Sequence, residues 1–104
     1  MDINKLDVFL RAADNNSFIK TAQELMYTQS GITHMMNTLE KELGFLLFIR
    51  TNKGVTLTAK GKRILPLVRE LSHAHETLQQ ECALINHVSI VNLRIASFSS
   101  IAIQ

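Results

Sequence analysis

The sequence has few of the residues that are typical of disulfide-rich, metal-binding and membrane proteins. Its 104 residues include one cysteine, one proline, four glycines and no tryptophan. A single cysteine excludes an internal disulfide framework and an all-cysteine metal site. No apolar run approaches the roughly 18 residues of a membrane-spanning helix, and the start, MDINKLDVF, lacks the basic and then apolar segments of a signal peptide. We therefore expect a globular, cytoplasmic protein that makes no contact with a membrane.

Groups that support catalysis or metal binding are equally sparse. The glycines form no phosphate-cradling loop, and no nucleophile, base and orienting group come together along the predicted helices. His73 and His75 lie two residues apart and so point to different sides of a helix. His75 and Cys82 are separated by about 10 Å along a helix axis. We therefore expect no enzymatic activity, no metal site and no cofactor.

Positive charge is concentrated in one stretch although the net charge is only +2. Residues 45–69 hold six basic residues and no acidic one, whereas the flanking segments carry more acids than bases. Such a patch favours phosphate groups. Charge alone leaves a second interpretation open, a solvated loop and helix face. The six basic residues are Arg50, Lys53, Lys60, Lys62, Arg63 and Arg69.

The first 44 residues have the apolar spacing of three amphipathic helices. Inward positions are expected at Leu6, Phe9, Leu10, Ala13, Phe18, Ala22, Leu25, Ile32, Met36, Leu39 and Leu43. The predicted helices cover residues 3–15, 18–25 and 29–43. Typical helix ends stand at Asn15-Asn16 and Gly44, and typical N-caps stand at Ser17 and Thr28. The outward face at the start of the third helix is rich in hydrogen-bonding groups, namely Gln29, Ser30, Thr33, His34 and Asn37.

A β-hairpin is predicted next. Two β-prone runs, 47–50 and 55–58, flank the turn sequence Thr-Asn-Lys-Gly, an arrangement typical of two antiparallel strands. Lys53 stands at the tip of the hairpin and Arg50 on its first strand. A hairpin after three short helices is typical of a winged helix-turn-helix, in which the third helix enters the major groove of DNA and the hairpin contacts the duplex beside it.

A long helix follows, from a cap at Thr58 to about Asn86. Its seam residues, apolar except for His75, step by four and three for three heptads, which indicates pairing with a second helix. Beyond it, alternating residues predict a strand over 91–97 that would begin a second, truncated α/β domain. The seam of the long helix consists of Ile64, Val68, Leu71, His75, Leu78, Cys82 and Ile85.

The predicted fold is therefore mainly α. A winged helix-turn-helix of three helices and a hairpin is followed by a long dimerisation helix and the start of a truncated α/β domain. We expect a DNA-binding domain at 1–58, a dimerisation helix at 59–87 and the first strand of an effector-binding domain within 88–104.

Five short motifs occur in order at compatible spacing. They are NSF-x-x-x-A at Asn16–Ala22, TQS-x-x-T at Thr28–Thr33, LE-x-ELG at Leu39–Gly44, LF-x-R at Leu47–Arg50 and LT-x-x-G at Leu57–Gly61. Residues 1 to about 63 thus resemble the N-terminal domain of the LysR-type transcriptional regulators. The resemblance implies a bacterial, sequence-specific regulator that binds double-stranded DNA as a homodimer or a dimer of dimers. A C-terminal domain would sense a small-molecule effector.

The resemblance also implies roles for individual residues. Base-reading positions of the family fall on Gln29, Ser30, Thr33 and His34. Phosphate-contacting positions fall on Ser17, Thr28, Arg50 and Lys53, and an effector-contacting hydroxyl falls on Ser99 or Ser100. The sequence departs from the family at His34, where Arg or Lys is common, and at Ser30, where Pro is common. An alternative function is a winged-helix interaction and dimerisation module that has no specific DNA target.

Overall fold

The computed structural model describes the backbone of residues 1–95 and the exposure of side chains over residues 1–87. The predicted winged helix-turn-helix is confirmed, with three short helices, an antiparallel hairpin and a long helix. The first three helices have the predicted bounds. The elements are α1 (Ile3–Asn15), α2 (Phe18–Leu25), α3 (Gln29–Leu43), β1 (Phe48–Thr51), β2 (Gly54–Leu57) and α4 (Ala59–Ile95).

Capping residues define both ends of the short helices. The Ser17 hydroxyl accepts a 3.0 Å hydrogen bond from the amide of Lys20, and the Thr28 hydroxyl accepts one from the amide of Gly31. Each bond satisfies an amide that the first turn of a helix leaves without a partner. The helices end on left-handed residues, which are Asn16, Met26 and Gly44.

The core lies where the three helices meet the hairpin. Phe48 of β1 packs edge-on against Phe9 of α1 and Phe18 of α2, with ring centroids 5.6 and 5.2 Å apart. Edge-to-face packing suits the opposed charges of ring edges and faces. The predicted inward stripes of α2 and α3 are buried or half-buried. On α1 the buried face is rotated from the predicted one, so that Val8 and Ala12 are buried while Leu10 and Ala13 are half-buried.

The hairpin, which we call the wing (residues 48–57), has a two-residue turn at Asn52-Lys53. Its strands differ from the predicted ones by one residue at each end. The amide of Val55 donates a 3.1 Å hydrogen bond to the carbonyl of Asn16, which attaches the wing to the end of α1. A Cβ on Gly54 would stand 2.5 Å from that same oxygen, so the contact requires glycine.

The start of α4 is fixed to the core. The Thr58 hydroxyl caps the helix at Gly61, whose missing side chain allows the Leu47 carbonyl to approach. Further along, Val68 is buried. Two exposed polar contacts tie the same helix to α1, Arg69 to Asp14 at 3.1 Å and Ser72 to Asp7 at 2.7 Å.

The predicted strand at 91–97 is wrong over residues 91–95. There α4 continues to Ile95, nine residues beyond its predicted end at Asn86. Short apolar runs fit both periodicities, and a continuing helix satisfies its own backbone groups, whereas a lone strand leaves them unpaired. Residues 96 and 97 lie outside the described part of the chain, as do Ser99 and Ser100.

The chain divides into two compact units, one at Met1–Ser72 and one that begins at His73. None of the helices described over residues 1–95 is long and apolar enough to span a membrane. Among those residues there is also no group of three or more potential metal ligands.

Candidate nucleic-acid interface

The outward side of α3 carries a row of polar groups that are exposed except for the half-buried Thr33. Residues at i, i+3, i+4 and i+7 share one face of a helix, and Ser30, Thr33, His34 and Asn37 have this spacing. They line one shallow groove together with Gln29. We call these five residues the recognition face. All four predicted base-reading residues therefore lie side by side on one helix.

A second cleft, of about 320 Å³, joins the recognition face to the wing. Its walls come from the start of α2, the first two turns of α3, and the wing turn. Gln29 and Thr33 border both depressions. The predicted phosphate-contacting residues Ser17, Arg50 and Lys53 thus share a cleft with two predicted base-reading residues.

Ser17 and Thr28 lie at the N-termini of α2 and α3. Their hydroxyl oxygens accept the capping bonds, while each O–H group can still donate to an anion. The Thr28 hydroxyl also lies 3.3 Å from that of Ser30. The unpaired amides of a helix N-terminus carry partial positive charge and attract phosphate.

Arg50 makes three contacts with the protein itself. Its Nη2 donates to Asn37 Oδ1 at 2.7 Å and to Glu40 Oε1 at 3.2 Å. Its guanidinium also lies 5.2 Å from the centre of the Phe18 ring. Both hydrogen bonds use Nη2, and a guanidinium has five N–H groups, so Arg50 retains donors for a phosphate.

Glu40 is a residue of the site that the sequence analysis missed. Its side chain is 6% exposed, and Oε2 accepts from the amides of Leu47 and Phe48 at 2.7 and 3.2 Å. The carboxylate therefore links α3 to the first strand of the wing. A signal was present, because Glu40 follows Met36 by four residues and Ile32 by eight, which places an acid on the buried side of α3.

The wing carries two basic residues, of which Arg50 forms an ion pair and Lys53 forms none among residues 1–87. The ion pairs found among residues 1–87 join Lys5 to Glu42, Arg11 to Glu24, Arg50 to Glu40 and Arg69 to Asp14. Lys53 takes part in none of these, and its side chain is exposed at the wing turn. Lys53 therefore presents a full positive charge beside the recognition face.

The predicted dimerisation seam has two parts. Ile64 and Val68 pack in the core of the first unit. Leu71, Leu78, Cys82 and Ile85 are exposed, and His75 is half-buried. The part of the seam from Leu71 onward thus presents apolar side chains that the described residues of the chain do not cover.

Known proteins resemble this chain in sequence. Residues 3–62 match the family described as "Bacterial regulatory helix-turn-helix protein, lysR family". The uncharacterised HTH-type transcriptional regulator YvbU of Bacillus subtilis is 35% identical over 101 residues, which are 96% of this chain and 35% of YvbU. The HTH-type transcriptional regulator ClcR of Pseudomonas putida is 32% identical over 104 residues, all of this chain and 35% of ClcR. The chain spans about a third of the length of these relatives.

Solved structures have the same fold. The structure described as a CbnR_DBD–DNA complex is 30% identical and has a TM-score of 0.72, over 82% of this chain and 99% of that one. Full-length CbnR complexed with its target DNA is 31% identical with a TM-score of 0.71, over 80% of this chain and 29% of that one. With the family match covering more than half of its residues, the chain belongs to the lysR family of bacterial regulatory helix-turn-helix proteins.

Proposed function

We propose that the chain is the DNA-binding part of a sequence-specific transcription regulator. Helix α3, over residues 29–42, would lie in the major groove, and the wing would contact the backbone or the minor groove. The observation that carries this proposal is the exposed polar recognition face of α3 beside the uncompensated Lys53 of the wing. The likeness to a DNA-binding domain in complex with DNA supports it.

The residues divide into two roles. Gln29, Ser30, Thr33 and His34 read base edges, because amide, hydroxyl and imidazole groups can pair with the donors and acceptors of the major groove. The phosphate-contacting residues fix the protein on the duplex and carry no sequence information. They are Ser17, Thr28, Arg50 and Lys53.

The remaining segments support assembly and control. Residues 1–58 bind DNA, residues 59–87 pair two copies into a homodimer, which can assemble further into a dimer of dimers, and residues from 88 onward lead into an effector-binding domain. The exposed leucines at 71 and 78 support the pairing. Ser99 or Ser100 would contact the small-molecule effector. The protein acts in the cytoplasm, without enzymatic activity, cofactor or metal.

Selection of bound duplexes from a random-sequence pool tests the proposal. We expect a site with two-fold symmetry to be enriched. Affinity for that site should fall linearly with salt on logarithmic axes, since each neutralised phosphate releases counterions. No enriched site, with folding and dimerisation confirmed on the same sample, would contradict the proposal.

Two substitutions separate the roles. Lys53→Ala should weaken binding to all sequences and reduce the salt slope by about one. Gln29→Ala should relax sequence preference, at roughly 1–3 kcal/mol per lost base contact. Gln23→Ala is the matched control, because Gln23 is exposed on α2 and outside both clefts. A protein-interaction module would instead bind its partner with little dependence on salt.

A further inference from the structure

The amide of Asn37 is held in one orientation by Arg50. Its Oδ1 accepts a 2.7 Å hydrogen bond from Arg50 Nη2. We propose that this bond turns the Nδ2 group of Asn37 toward the DNA, so that Asn37 is a further specificity-determining residue that selects guanine. The inference rests on the proposed function, since it concerns the same groove and the same helix.

The chemistry of the two side chains fixes which amide atom faces Arg50. A guanidinium only donates hydrogen bonds, so the opposite orientation of the amide would set two donors against each other. Oxygen and nitrogen of an amide are assigned from such networks, and here the network allows one assignment. Asn37 therefore keeps two N–H donors for a ligand while its oxygen is engaged.

Arg50 is itself held from two further sides. Glu40 Oε1 accepts from the same Nη2 at 3.2 Å, and the guanidinium lies over the Phe18 ring. Glu40 is buried and accepts hydrogen bonds from two backbone amides at the entrance to the wing. The orientation of Asn37 thus depends on a chain of contacts that begins in the core, and Arg50 is the positioning residue.

Asn37 lies in line with the residues that read bases. It follows Thr33 by one helical turn, about 6 Å along the axis, and lines the same groove as Gln29 and Thr33. Positions i, i+3, i+4 and i+7 are a set with which recognition helices read the major groove. Asn37 completes this set after Ser30, Thr33 and His34.

The locked orientation determines which base suits Asn37. An asparagine that recognises adenine pairs with N6 and N7 at once and needs both its oxygen and its nitrogen. Because the oxygen is directed at Arg50, the amide turns its N–H donors rather than its acceptor toward the groove. Guanine presents two acceptors, O6 and N7, and cytosine presents a donor. Guanine is therefore preferred and cytosine excluded.

Base preference in variants of the full chain tests the inference. The wild-type operator is first selected from a random pool, and affinities are then measured on duplexes changed one base pair at a time. Asn37→Asp keeps an acceptor for Arg50 and replaces the outward donors with an acceptor. We expect one base pair per half-site to change from guanine to cytosine, with a shift in relative affinity of roughly 5- to 150-fold.

A second variant tests whether the orientation of the Asn37 amide, and not only its contact with a base, sets the preference. Arg50→Met keeps a long unbranched side chain but removes every donor that faces the Asn37 oxygen. The Asn37 amide is then released, so adenine should become accepted at that same base pair, while the loss of the charge weakens binding to all sequences. Asn52→Asp is the charge-matched control on the wing turn, and it should weaken all sequences without changing base preference. Thermal unfolding of each variant confirms that it is folded.

The outcomes are distinct from those of the proposed function. If wild-type protein selects an operator and Asn37→Asp weakens every sequence alike, Asn37 reads no base and the inference is wrong. Unchanged preference in both Asn37→Asp and Arg50→Met also overturns it while leaving the proposed function intact. Failure of the wild-type protein to select any operator overturns both.

Discussion

The carboxylate of Glu40 in α3 accepts a 2.7 Å hydrogen bond from the backbone amide of Leu47, the residue immediately before β1. With the bond from Phe48 it satisfies two buried amides at the entrance to the wing. Helix α3 and the wing are thereby joined through the side chain of Glu40. Their relative placement, on which a shared cleft depends, is a property of the folded domain rather than of a bound ligand.

We expect Glu40→Ala to lower the free energy of unfolding by about 2–4 kcal/mol. The substitution leaves two buried amides without acceptors, each at a cost of roughly 1–3 kcal/mol, partly relieved by water. Urea unfolding followed by circular dichroism measures the loss. Glu42→Ala is the control on the same helix, because Glu42 makes only an exposed ion pair, and its effect should stay within about 0.5 kcal/mol. Equal effects of the two substitutions would contradict the role of Glu40.

Gly61→Ala should destabilise the domain by about 1–3 kcal/mol. A Cβ at this position would lie 2.6 Å from the Leu47 carbonyl oxygen, and since backbone cannot yield as a flexible side chain does, α4 would have to move. The intrinsic helix propensity of alanine acts in the opposite direction. Thermal unfolding of Gly61→Ala and of the neighbouring exposed control Lys62→Ala distinguishes the two effects. A stabilised Gly61→Ala protein would show that propensity dominates.

Stability should depend on the ionisation of Glu24. Hydrogen bonds from Asn15 and then Arg11 hold the pKa of Glu24 below its usual value of 4.5. A carboxyl whose pKa is lower in the folded state stabilises the fold above its unfolded pKa and loses that contribution as the pH falls through its folded pKa. The free energy of unfolding should therefore be larger for wild type than for Glu24→Gln at pH 7. This difference should decrease as the pH falls below about 4.5.

Urea midpoints of wild type and Glu24→Gln across pH 3 to 7 check this expectation. Arg11→Gln removes the cation beside Glu24. In that background the difference in stability between Glu24 and Gln at position 24 should be smaller. If the difference in stability between wild type and Glu24→Gln stays constant over the whole pH range, the titration of Glu24 contributes nothing to folding.

Pairing through α4 should depend on Leu78 and not on Leu84. The two leucines are 61% and 59% exposed, so burial within the described chain does not distinguish them. Only Leu78 lies on the heptad seam. A lysine at 78 would place a charge in the paired surface, and Leu78→Lys should therefore shift the protein to monomer in sedimentation at micromolar concentration. Leu84→Lys should remain dimeric, and the same behaviour in both variants would reject the seam.

Local signals in the sequence were sufficient to predict most elements. Ser17 marked the start of α2, and Thr28 and Gly44 marked the two ends of α3, because cap chemistry depends on the few residues nearest the helix end. Met26 carried no such signal. It takes the left-handed conformation with φ 61° and ends α2, although methionine rarely adopts this conformation.

Contacts between residues far apart in the sequence were not predicted. The resemblance predicted a phosphate contact for Arg50, but the bonds of Arg50 to Asn37 and Glu40 become visible only when β1 lies beside α3. The end of α4 was predicted wrongly for another reason. Alternating residues from Val91 onward suggested a strand, yet the same stretch also accommodates a helix, which continues to Ile95.

The bonds that tie α4 to α1 also bear on the order of folding. Arg69–Asp14 and Ser72–Asp7 close loops of 55 and 65 residues, whereas Arg11–Glu24 and Arg50–Asn37 each close one of 13. Closing a longer loop costs more chain entropy, and structures rich in local contacts fold fastest. The three helices and the wing can therefore assemble first. On a ribosome, the part of α4 that contacts α1 would dock last among these elements, after the recognition face and the wing had already formed.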